Sequence, residues 1–484
     1  RALKPPLDRS GGGGERGLST QTSGGFVGRM RFIVPIVFAI IAAATFACAA
    51  PESRPNVIVM MADDLGYGDL SCYGSDKIKT PVLDELASSG VRLTSFYAGA
   101  TVCTPSRMAL LTGCYPTRLG WSGGVLGYKM KTDTGLAPEA RTMAEVFKDA
   151  GYRTALCGKW HLGSSPDLVP NKQGFDQSFF IKMSNNQTKK LWRNDELIAD
   201  PFDNRRLTEQ FTQEAIGFIR AESDEPFFLY LPFTAPHFPA QAHPDWKGKS
   251  NNGAYGDVVE ELDARVGEIL ATLREQKIEK NTLVVFLSDN GPEPGQKKFA
   301  TAAPYRGLKW SSLEGGTRVP CIVSWPGVVP PETVSSGLTS AIDLLPTLAH
   351  AAGVTPKGEG SHPIDGLNVW NTLIGQANSE QHARKDLLYW EGWAAPQAIR
   401  VGNWKLYFDA VKDVPGSKAG PALFDLATDR AEEKNLSAEH PDRVAEMLAL
   451  ARKRLGAIEA DPIELGGADR AGKRLVPKTP RWLE

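Results

Sequence analysis

The feature that most constrains the fold of this chain is a repeated alternation of short, apolar, β-rich runs with helical patterns. Polar residues follow each of these runs directly. Strands separated by helices favour parallel pairing, and ligands collect where the carboxyl ends of such strands meet. We therefore predict an α/β fold with a large, mostly parallel mixed sheet flanked by helices. The predicted strands are 56–62, 153–157, 227–233 and 283–287, and the predicted helices between them are 81–89, 142–150, 207–221 and 257–276.

The pattern changes after about residue 385. Short strand-like runs are then separated by Gly, Pro and Asp turns and are followed by an amphipathic helix at 441–455. This predicts a smaller C-terminal α+β subdomain. The strand-like runs lie at 387–390, 398–401, 404–408 and 423–425, and the expected boundaries are 50–384 for the main domain, 385–465 for the subdomain and 466–484 for a polar tail.

The first 49 residues have the composition of an export signal behind an upstream segment. Residues 1–29 do not begin with Met and contain four consecutive glycines, so we expect a non-native or disordered extension with Met30 as the true start. Arginines flank Met30, an apolar run covers 32–46, and Ala47-Cys48-Ala49 offers a small-residue cleavage site. The sequence therefore predicts a signal peptide at 30–49.

This signal predicts a periplasmic or secreted protein. The apolar run is shorter than the about 20 residues that span a bilayer, so no stable membrane span is expected, although a retained anchor is the alternative. Lipid attachment at Cys48 is a second alternative, but Thr45 stands where lipoprotein signals usually have Leu.

The charge of the chain is balanced. Lys and Arg total 55 and Asp and Glu total 56, which gives a formal net charge of −1. A nucleic-acid-binding protein usually carries a basic excess, and none is present, although balanced totals allow a local basic pocket. We expect a small anionic group as the target and no nucleic-acid partner.

Carboxylate and amide side chains follow two of the predicted strands. Asp63 and Asp64 come directly after 56–62, and Asp289 and Asn290 come after 283–287 with one serine between. Oxygen ligands of this kind suit calcium or magnesium better than zinc, and we favour calcium. Read one at a time, the same residues are also typical of turns and helix caps.

The run Cys103-Thr104-Pro105-Ser106-Arg107, followed by Met-Ala-Leu-Leu-Thr-Gly, resembles the signature of the type I sulfatases. In that family a maturation enzyme, the formylglycine-generating enzyme, oxidises such a cysteine to formylglycine (3-oxoalanine). The resemblance implies that the hydrate of this aldehyde attacks sulfur. A geminal diol can then expel sulfate by returning to the aldehyde, which a serine could not do.

The resemblance also implies roles for other residues, carried over by position. Asp63, Asp64, Cys103, Asp289 and Asn290 would hold one calcium ion. Arg107 and Lys159 would hold the hydrate, and His161 would accept a proton from its second hydroxyl. His237 and Lys309 would bind sulfate and protonate the leaving alcohol, and Lys159 would also contact substrate. We expect Cys103 to precede a helix at 108–112, and Lys159 and His161 to share one side of an extended segment.

The resemblance extends from Asn56 to about Leu436 and implies an alkaline phosphatase-like fold. Within the family the pattern is most similar to arylsulfatase A and N-acetylgalactosamine-6-sulfatase. Cys114 is a departure, since the extended signature usually has Arg there, and this puts the extent of Cys103 conversion in question. Four further cysteines remain for pairing or for burial as thiols, and the sequence leaves that choice open: Cys72, Cys114, Cys157 and Cys321.

Three functions are compatible with these residues. The first is an exported calcium-dependent sulfatase acting on a sulfated carbohydrate or an aryl sulfate. The second is a phosphoryl or phosphonate monoester hydrolase of the same superfamily, although only seven histidines are present for a dizinc site. The third is a non-catalytic binder of sulfated glycans in which Cys103 stays a thiol. Substrate choice would rest on the loops 170–192, 242–255 and 291–305, with Trp192, Trp246 and Trp310 as candidates for stacking on sugars.

Overall fold

A ten-stranded mixed sheet forms the centre of the described chain. The computed structural model describes residues 54–121, 123–356, 362–376, 379–393 and 395–467. In chain order the strands of this sheet are β1 Asn56–Ala62, β2 Val91–Leu93, β3 Arg153–Lys159, β4 Gln177–Ile181, β5 Leu191–Arg193, β6 Glu196–Ala199, β7 Phe227–Pro232, β8 Thr282–Ser288, β9 Cys321–Ser324 and β10 Thr333–Ser335.

The middle of the sheet is parallel. The spatial order is β6-β5-β4-β3-β7-β1-β8-β9-β2-β10. The five strands from β4 to β8 in this order are all parallel, whereas the strands beyond them are joined by mostly antiparallel pairings. The predicted mostly parallel mixed sheet is therefore confirmed.

Helices cover both faces of the sheet because its central strands are apolar on both sides. The helices of seven or more residues are α1 Pro81–Ser88, α2 Cys103–Thr112, α3 Met143–Asp149, α4 Leu207–Arg220, α5 Gly253–Glu275, α6 Leu344–Ala351 and α7 Pro441–Glu459. In β1, Val57, Val59 and Met61 belong to one buried cluster with α2, α3, α6 and α7, while Ile58 and Met60 belong to another with α1, α4 and α5. This alternation follows from the two-residue period of a strand.

The helix after the cysteine motif begins earlier than predicted. The sequence indicated 108–112, but α2 begins at Cys103 itself, with Val102 as its N-cap residue. Pro105 is compatible with this start because the first turn of a helix has no intrahelical partner for its N–H groups. Cys103 therefore lies at the N-terminus of α2, where backbone N–H groups are unpaired.

A second sheet follows the main one in sequence. Its strands are β11 Asp386–Trp390, β12 Pro396–Val401, β13 Trp404–Tyr407 and β14 Ala422–Asp425. The sheet is antiparallel in the order β11-β12-β13-β14, and its Ile399 and Leu406 share the buried cluster of Val57 and Val59. Helix α7 packs on this sheet through Met447 and Leu455, which are buried in the same cluster.

A buried charge cluster connects this sheet to the main one. Lys405 Nζ on β13 lies 2.9 Å from Glu314 Oε1 and 2.9 Å from Glu432 Oε1, with all three side chains fully buried. Tyr389 OH donates to Glu314 Oε1 at 2.9 Å, and the Glu314 N–H donates to Glu432 Oε2 at 2.8 Å. Lys405 is the cation that Glu314 and Glu432 share, and Arg318 lies 3.2 Å from Glu314 as a second cation. Because water does not reach these carboxylates, the junction depends strongly on Lys405.

Three predicted segments fall wholly or mainly outside the described residues. The upstream segment at 1–29 and the signal peptide at 30–49, with Cys48, lie outside them, as do residues 468–484 of the predicted tail. The first two tail residues, Gly466–Gly467, pair with Thr134–Gly135. Among the described residues, every helix is too short or too polar to cross a membrane.

Replacement of Lys405 by Met should destabilise the protein strongly. The change keeps the length of the side chain but leaves Glu314 and Glu432 without their shared cation, and breaking a buried pair in this way costs about 3–5 kcal/mol. We expect a clear fall in the urea concentration at the midpoint of unfolding. Lys434→Met is the matched control, because Lys434 pairs with Glu439 on the surface, and it should leave the midpoint unchanged. A Lys405→Met midpoint equal to that of the control would contradict this account.

Candidate active site

Two acidic strand ends lie side by side at the carboxyl edge of the main sheet. Ala62 at the end of β1 is in register with Ser288 at the end of β8, so Asp63 and Asp64 emerge beside Asp289. Asp64 has a left-handed backbone (φ 67°), which Asp tolerates better than most residues. Its N–H donates to Asp289 Oδ1 at 3.1 Å. The two strand ends are therefore fixed to each other.

Three buried cations face these carboxylates, and each carboxylate has one of them within 2.8 Å. Lys159 Nζ lies 2.7 Å from Asp63 Oδ2, and Arg107 Nη2 lies 2.7 Å from Asp289 Oδ2. Lys309 Nζ lies 2.8 Å from Asp64. Arg107 also donates through Nη1 to the Lys159 carbonyl at 3.1 Å, which ties α2 to the end of β3.

The buried charges shift one another's ionisation. Burial alone would raise the pKa of Asp63, but Lys159, followed by His237 and Arg107, holds it well below its usual range. Burial and the neighbouring Asp63 carboxylate raise the pKa of Asp289. Burial opposes the charge on Lys309, yet the Asp64 carboxylate raises its pKa well above the usual range, so Lys309 stays protonated.

Cys103 lies against this cluster and is 1% exposed. Burial raises the pKa of its thiol, and the charges of Lys159 and Lys309 only partly offset this effect. The next residue, Thr104, accepts a hydrogen bond from the Leu126 N–H through Oγ1 at 3.1 Å. Unmodified Cys103 is therefore a neutral, buried thiol held at the start of α2.

His161 is placed with one ring nitrogen unpaired. Its Nε2 lies 3.0 Å from the Leu126 carbonyl oxygen, which can only accept, so Nε2 carries the proton and Nδ1 is left as an acceptor. Nδ1 is buried and has no hydrogen-bond partner. Burial and then the Lys159 charge hold the His161 pKa well below its usual range, so the ring is neutral. The predicted extended segment is wrong at this point, because His161 has a left-handed backbone (φ 59°).

His237 points its free nitrogen at a carboxylate. Nδ1 lies 3.0 Å from Asn185 Oδ1 and 2.7 Å from the Phe238 carbonyl oxygen, so Nδ1 is the protonated nitrogen. Nε2 then faces Asp64 Oδ2 at 3.6 Å. Burial lowers the pKa of His237 to about 4, and Asp63 and Asp64 oppose this. Two acceptors face each other here, and such an arrangement needs a proton or a metal ion between them.

The donor set at the strand ends fits a cation that prefers oxygen. Asp63 Oδ1 and Asn290 Oδ1 are buried without a hydrogen-bond partner, although buried polar atoms are normally paired. Donor atoms of Asp63, Asp64 and His237 all lie within 4.8 Å of one another. Asn290 donates to Asp64 Oδ1 at 2.7 Å. His237 is not among the metal ligands predicted from the sequence, because only the fold brings it beside Asp64.

All ten residues named from the sequence meet in this cluster, together with side chains that the sequence reading missed. Asn185 orients His237, and Glu293 lies 3.4 Å from Lys309 Nζ. Asn185 falls in the loop 170–192 and Glu293 in the loop 291–305, both of which were predicted to determine substrate choice. Membership of these loops is the one sequence feature that pointed to the two residues. The remaining cysteines of the described chain are free thiols rather than disulfides: Cys72, Cys114, Cys157 and Cys321.

A separate basic cleft of about 830 Å³ contains none of the ten residues. Three of its arginines are committed to the framework: Arg384 pairs with Asp343 at 2.7 Å, Arg318 pairs with Glu314 at 3.2 Å, and Arg400 contacts Tyr97. We therefore place the candidate active site at the strand ends and not in this cleft.

Comparison with known proteins identifies the family. The sulfatase family matches residues 55–354. Steryl-sulfatase of Rattus norvegicus is 33% identical over 88% of this chain and 94% of its own length. Arylsulfatase A of Homo sapiens is 34% identical over 81% of this chain and 85% of its own length. N-acetylgalactosamine-6-O-sulfatase of Bacteroides thetaiotaomicron is 32% identical over 82% of this chain and 93% of its own length.

Solved structures share the fold. One from work on glycosaminoglycan metabolism by Bacteroides thetaiotaomicron has a TM-score of 0.76 at 30% identity, covering 83% of this chain and 99% of its own. A sulfatase from a Pseudoalteromonas species has a TM-score of 0.75 at 26% identity, covering 85% and 92%. The phosphonate monoester hydrolase of Agrobacterium radiobacter, at 21% identity and a TM-score of 0.59, is similar in fold alone. The chain belongs to the sulfatase family and is a sulfuric ester hydrolase.

Proposed function

We propose that this protein is an exported sulfatase that hydrolyses a sulfate ester by means of a formylglycine made from Cys103 and one bound calcium ion. The observation that carries the proposal is the burial of Cys103 beside a cluster in which three carboxylates are each paired with a cation. A buried thiol with a raised pKa is a poor nucleophile in its own right. Its position among so many fixed charges therefore supports a modified residue at this position.

We propose Asp63, Asp64, Asp289, Asn290 and residue 103 as the calcium ligands. Asp63 Oδ1 and Asn290 Oδ1, two buried oxygens without a hydrogen-bond partner, support this assignment, since oxygen donors are what calcium prefers. A calcium ion bound there would neutralise charge on a sulfate oxygen and favour deprotonation of an attached hydroxyl. His237 is a further candidate ligand because its Nε2 faces Asp64.

The charges of the cluster are nearly balanced. Asp63, Asp64 and Asp289 are paired with three cations, and Glu293, whose side chain is 27% exposed, adds a fourth carboxylate beside Lys309. A bound divalent ion would therefore give the site an excess of positive charge, which an anionic ester would offset. This supports an anionic ester as substrate, and it does not distinguish a sulfate from a phosphate.

The side chains divide between holding the nucleophile and moving protons. When formed, the formylglycine hydrate would supply two hydroxyl groups, one to attack sulfur and one to release it. Arg107 and Lys159 are placed to hold it and balance its charge, since both already contact carboxylates beside Cys103. His161, with Nδ1 as a free buried acceptor, is suited to take a proton. Lys309, which is protonated, and His237 are assigned to the sulfate and the leaving alcohol.

Two alternative functions predict a different outcome when substrate is added. The second, a phosphoryl or phosphonate monoester hydrolase, predicts faster turnover of phosphate or phosphonate esters than of sulfate esters, and relative rates on the three ester classes decide between them. The third reading, a glycan binder with an unmodified Cys103, predicts binding without turnover. Export through the signal at 30–49 and the boundary between main domain and subdomain at 384/385 also remain proposals.

Conversion of Cys103 should be visible by peptide mass spectrometry of protein produced together with a formylglycine-generating enzyme. The oxidised residue is about 18 Da lighter than cysteine. Trypsin places Cys103 in 93–107 and Cys114 in 108–118, so the second peptide is an internal control that should keep its thiol mass. Protein with an intact Cys103 that still hydrolyses sulfate esters would contradict the proposed nucleophile.

Removal of calcium should abolish hydrolysis and lower the melting temperature, and added calcium should restore both. A ligand present at 100 times its Kd stabilises the folded state by about 2.7 kcal/mol. Asp64→Asn should eliminate the calcium-dependent shift in melting temperature. Asp69→Asn is the control, because Asp69 is equally buried but accepts hydrogen bonds from Tyr255 and Gly66 outside the cluster, and its shift should persist. Recovery with zinc but not with calcium would overturn the ligand assignment.

His237→Ala distinguishes an acid from a metal ligand. If His237 helps to protonate the leaving alcohol, kcat should fall by about 100-fold or more on sugar sulfates and much less on an activated aryl sulfate. The calcium concentration needed for half-maximal activity should not change. Equal losses on both substrates with weaker calcium dependence would instead assign His237 to the metal.

A further inference from the structure

Three aromatic side chains form an exposed shelf, defined by Tyr128, Trp310 and Trp393. The rings of Trp310 and Trp393 are stacked, with centroids 5.1 Å apart and planes at 27°. Tyr128 meets Trp310 edge-on at 5.9 Å and Trp393 at 6.2 Å. Tyr128 is 51% exposed and Trp393 is 41% exposed, so large apolar rings stay in contact with water. Such a patch is a mark of a binding site.

The shelf lies at the rim of the candidate active site. Trp310 directly follows Lys309, and its N–H donates to the Thr101 carbonyl at 3.0 Å, two residues before Cys103. Tyr128 follows Leu126 by two residues. The Leu126 backbone contacts both the Thr104 hydroxyl and His161 Nε2. Both sides of the shelf are therefore attached to segments that touch the catalytic candidates.

The backbone is shaped to bring these rings together. A Cβ atom on Gly392 would lie 2.1 Å from Trp310 Cε3, and one on Gly123 would lie 2.7 Å from the Trp393 carbonyl carbon. Only glycine allows these approaches. Trp310 itself has a left-handed backbone (φ 75°), a strained state for a bulky residue. Close packing and backbone strain of this kind are often found at ligand-binding sites, so they support a binding role for the three rings.

The surroundings of the shelf suit a sugar ring. A sugar offers an apolar C–H face to an aromatic ring and hydroxyl groups at its edge. Polar side chains flank the shelf: Gln187 Nε2 donates to the Leu126 carbonyl at 3.0 Å, and Glu391, beside Gly392, accepts from Gln397 at 2.7 Å. A sterol would need an enclosed apolar wall instead. The open aromatic surface matches the C–H face of a saccharide, and its polar edges match the hydroxyl groups.

We propose that the shelf stacks a sugar residue next to the sulfated one, so that the substrate is a sulfated oligosaccharide or polysaccharide. This inference rests on the proposed sulfatase activity, since it extends the same site outward from the sulfate. It assigns substrate-binding roles to Tyr128 and Trp393, which the sequence did not indicate. Of the tryptophans named from the sequence, only Trp310 belongs to the shelf.

Kinetics on substrates of two sizes tests the shelf. The probes are 4-nitrophenyl sulfate, which has no neighbouring sugar residue to stack on it, and a panel of defined sulfated galactan and glycosaminoglycan tetrasaccharides. Trp393→Ala and Tyr128→Ala should each raise KM about tenfold on the tetrasaccharide that is cleaved fastest, with KM and kcat on 4-nitrophenyl sulfate unchanged. Trp393→Phe should keep most of the affinity because it retains a ring. Trp404→Ala is the control, since Trp404 packs on His440 in the second sheet.

A binding measurement separates this proposal from the proposed activity. Calorimetric titration of the Cys103→Ala variant with the same tetrasaccharides should give a Kd that Trp393→Ala weakens about tenfold. If no sulfate ester is hydrolysed but binding depends on Trp393, the sulfatase proposal fails and the shelf stands. If hydrolysis proceeds while neither KM nor Kd responds to Trp393→Ala, or if no tetrasaccharide binds, the shelf proposal is overturned.

Discussion

The structure depends on burying six formal charges at one edge of a parallel sheet. Asp63, Asp64 and Asp289 are removed from water, and each would be strongly unfavourable there without a cation in direct contact. Lys159, Lys309 and Arg107 meet them one to one at 2.7–2.8 Å. The sheet, α2 and the loops around the site must therefore hold these side chains in fixed positions, and this requirement also prepares the site to accept further charge.

The framework that supplies this rigidity extends beyond the strand ends. Arg107 on α2 contacts Asp289 after β8 and the Lys159 carbonyl on β3, so one side chain ties together three elements of the fold. A second buried cluster, centred on Lys405, joins Glu314 to the C-terminal sheet. That sheet in turn carries Trp393 to the rim of the site. A chain segment without any candidate catalytic residue thus shapes what can approach the catalytic ones.

Much of this arrangement could be predicted from local patterns. The run 56–62 matches β1 residue for residue, and the helices at 81–89 and 207–221 match α1 and α4 to within one residue. The motif around Cys103 and the acidic strand ends indicated the family before any coordinates were considered. Prediction failed where tertiary contacts outweigh local preference: α2 begins at Cys103 instead of 108, and His161 leaves the strand in a left-handed turn. Neither the start of α2 nor the backbone conformation of His161 is marked by a periodic pattern of apolar residues in the sequence.

The sequence by itself determined the fold class, the family and the identity of the ten candidate residues, because strand periodicity and a short contiguous motif are local properties of the chain. Only the tertiary structure decided which carboxylate pairs with which cation, that His237 directs Nε2 at Asp64, and that the cysteines of the described chain form no disulfides. It also brought Tyr128, Trp310 and Trp393 into one shelf. These contacts join residues as many as 265 positions apart in the numbering, as for Tyr128 and Trp393, and distances across a folded core are not encoded in any single stretch of sequence.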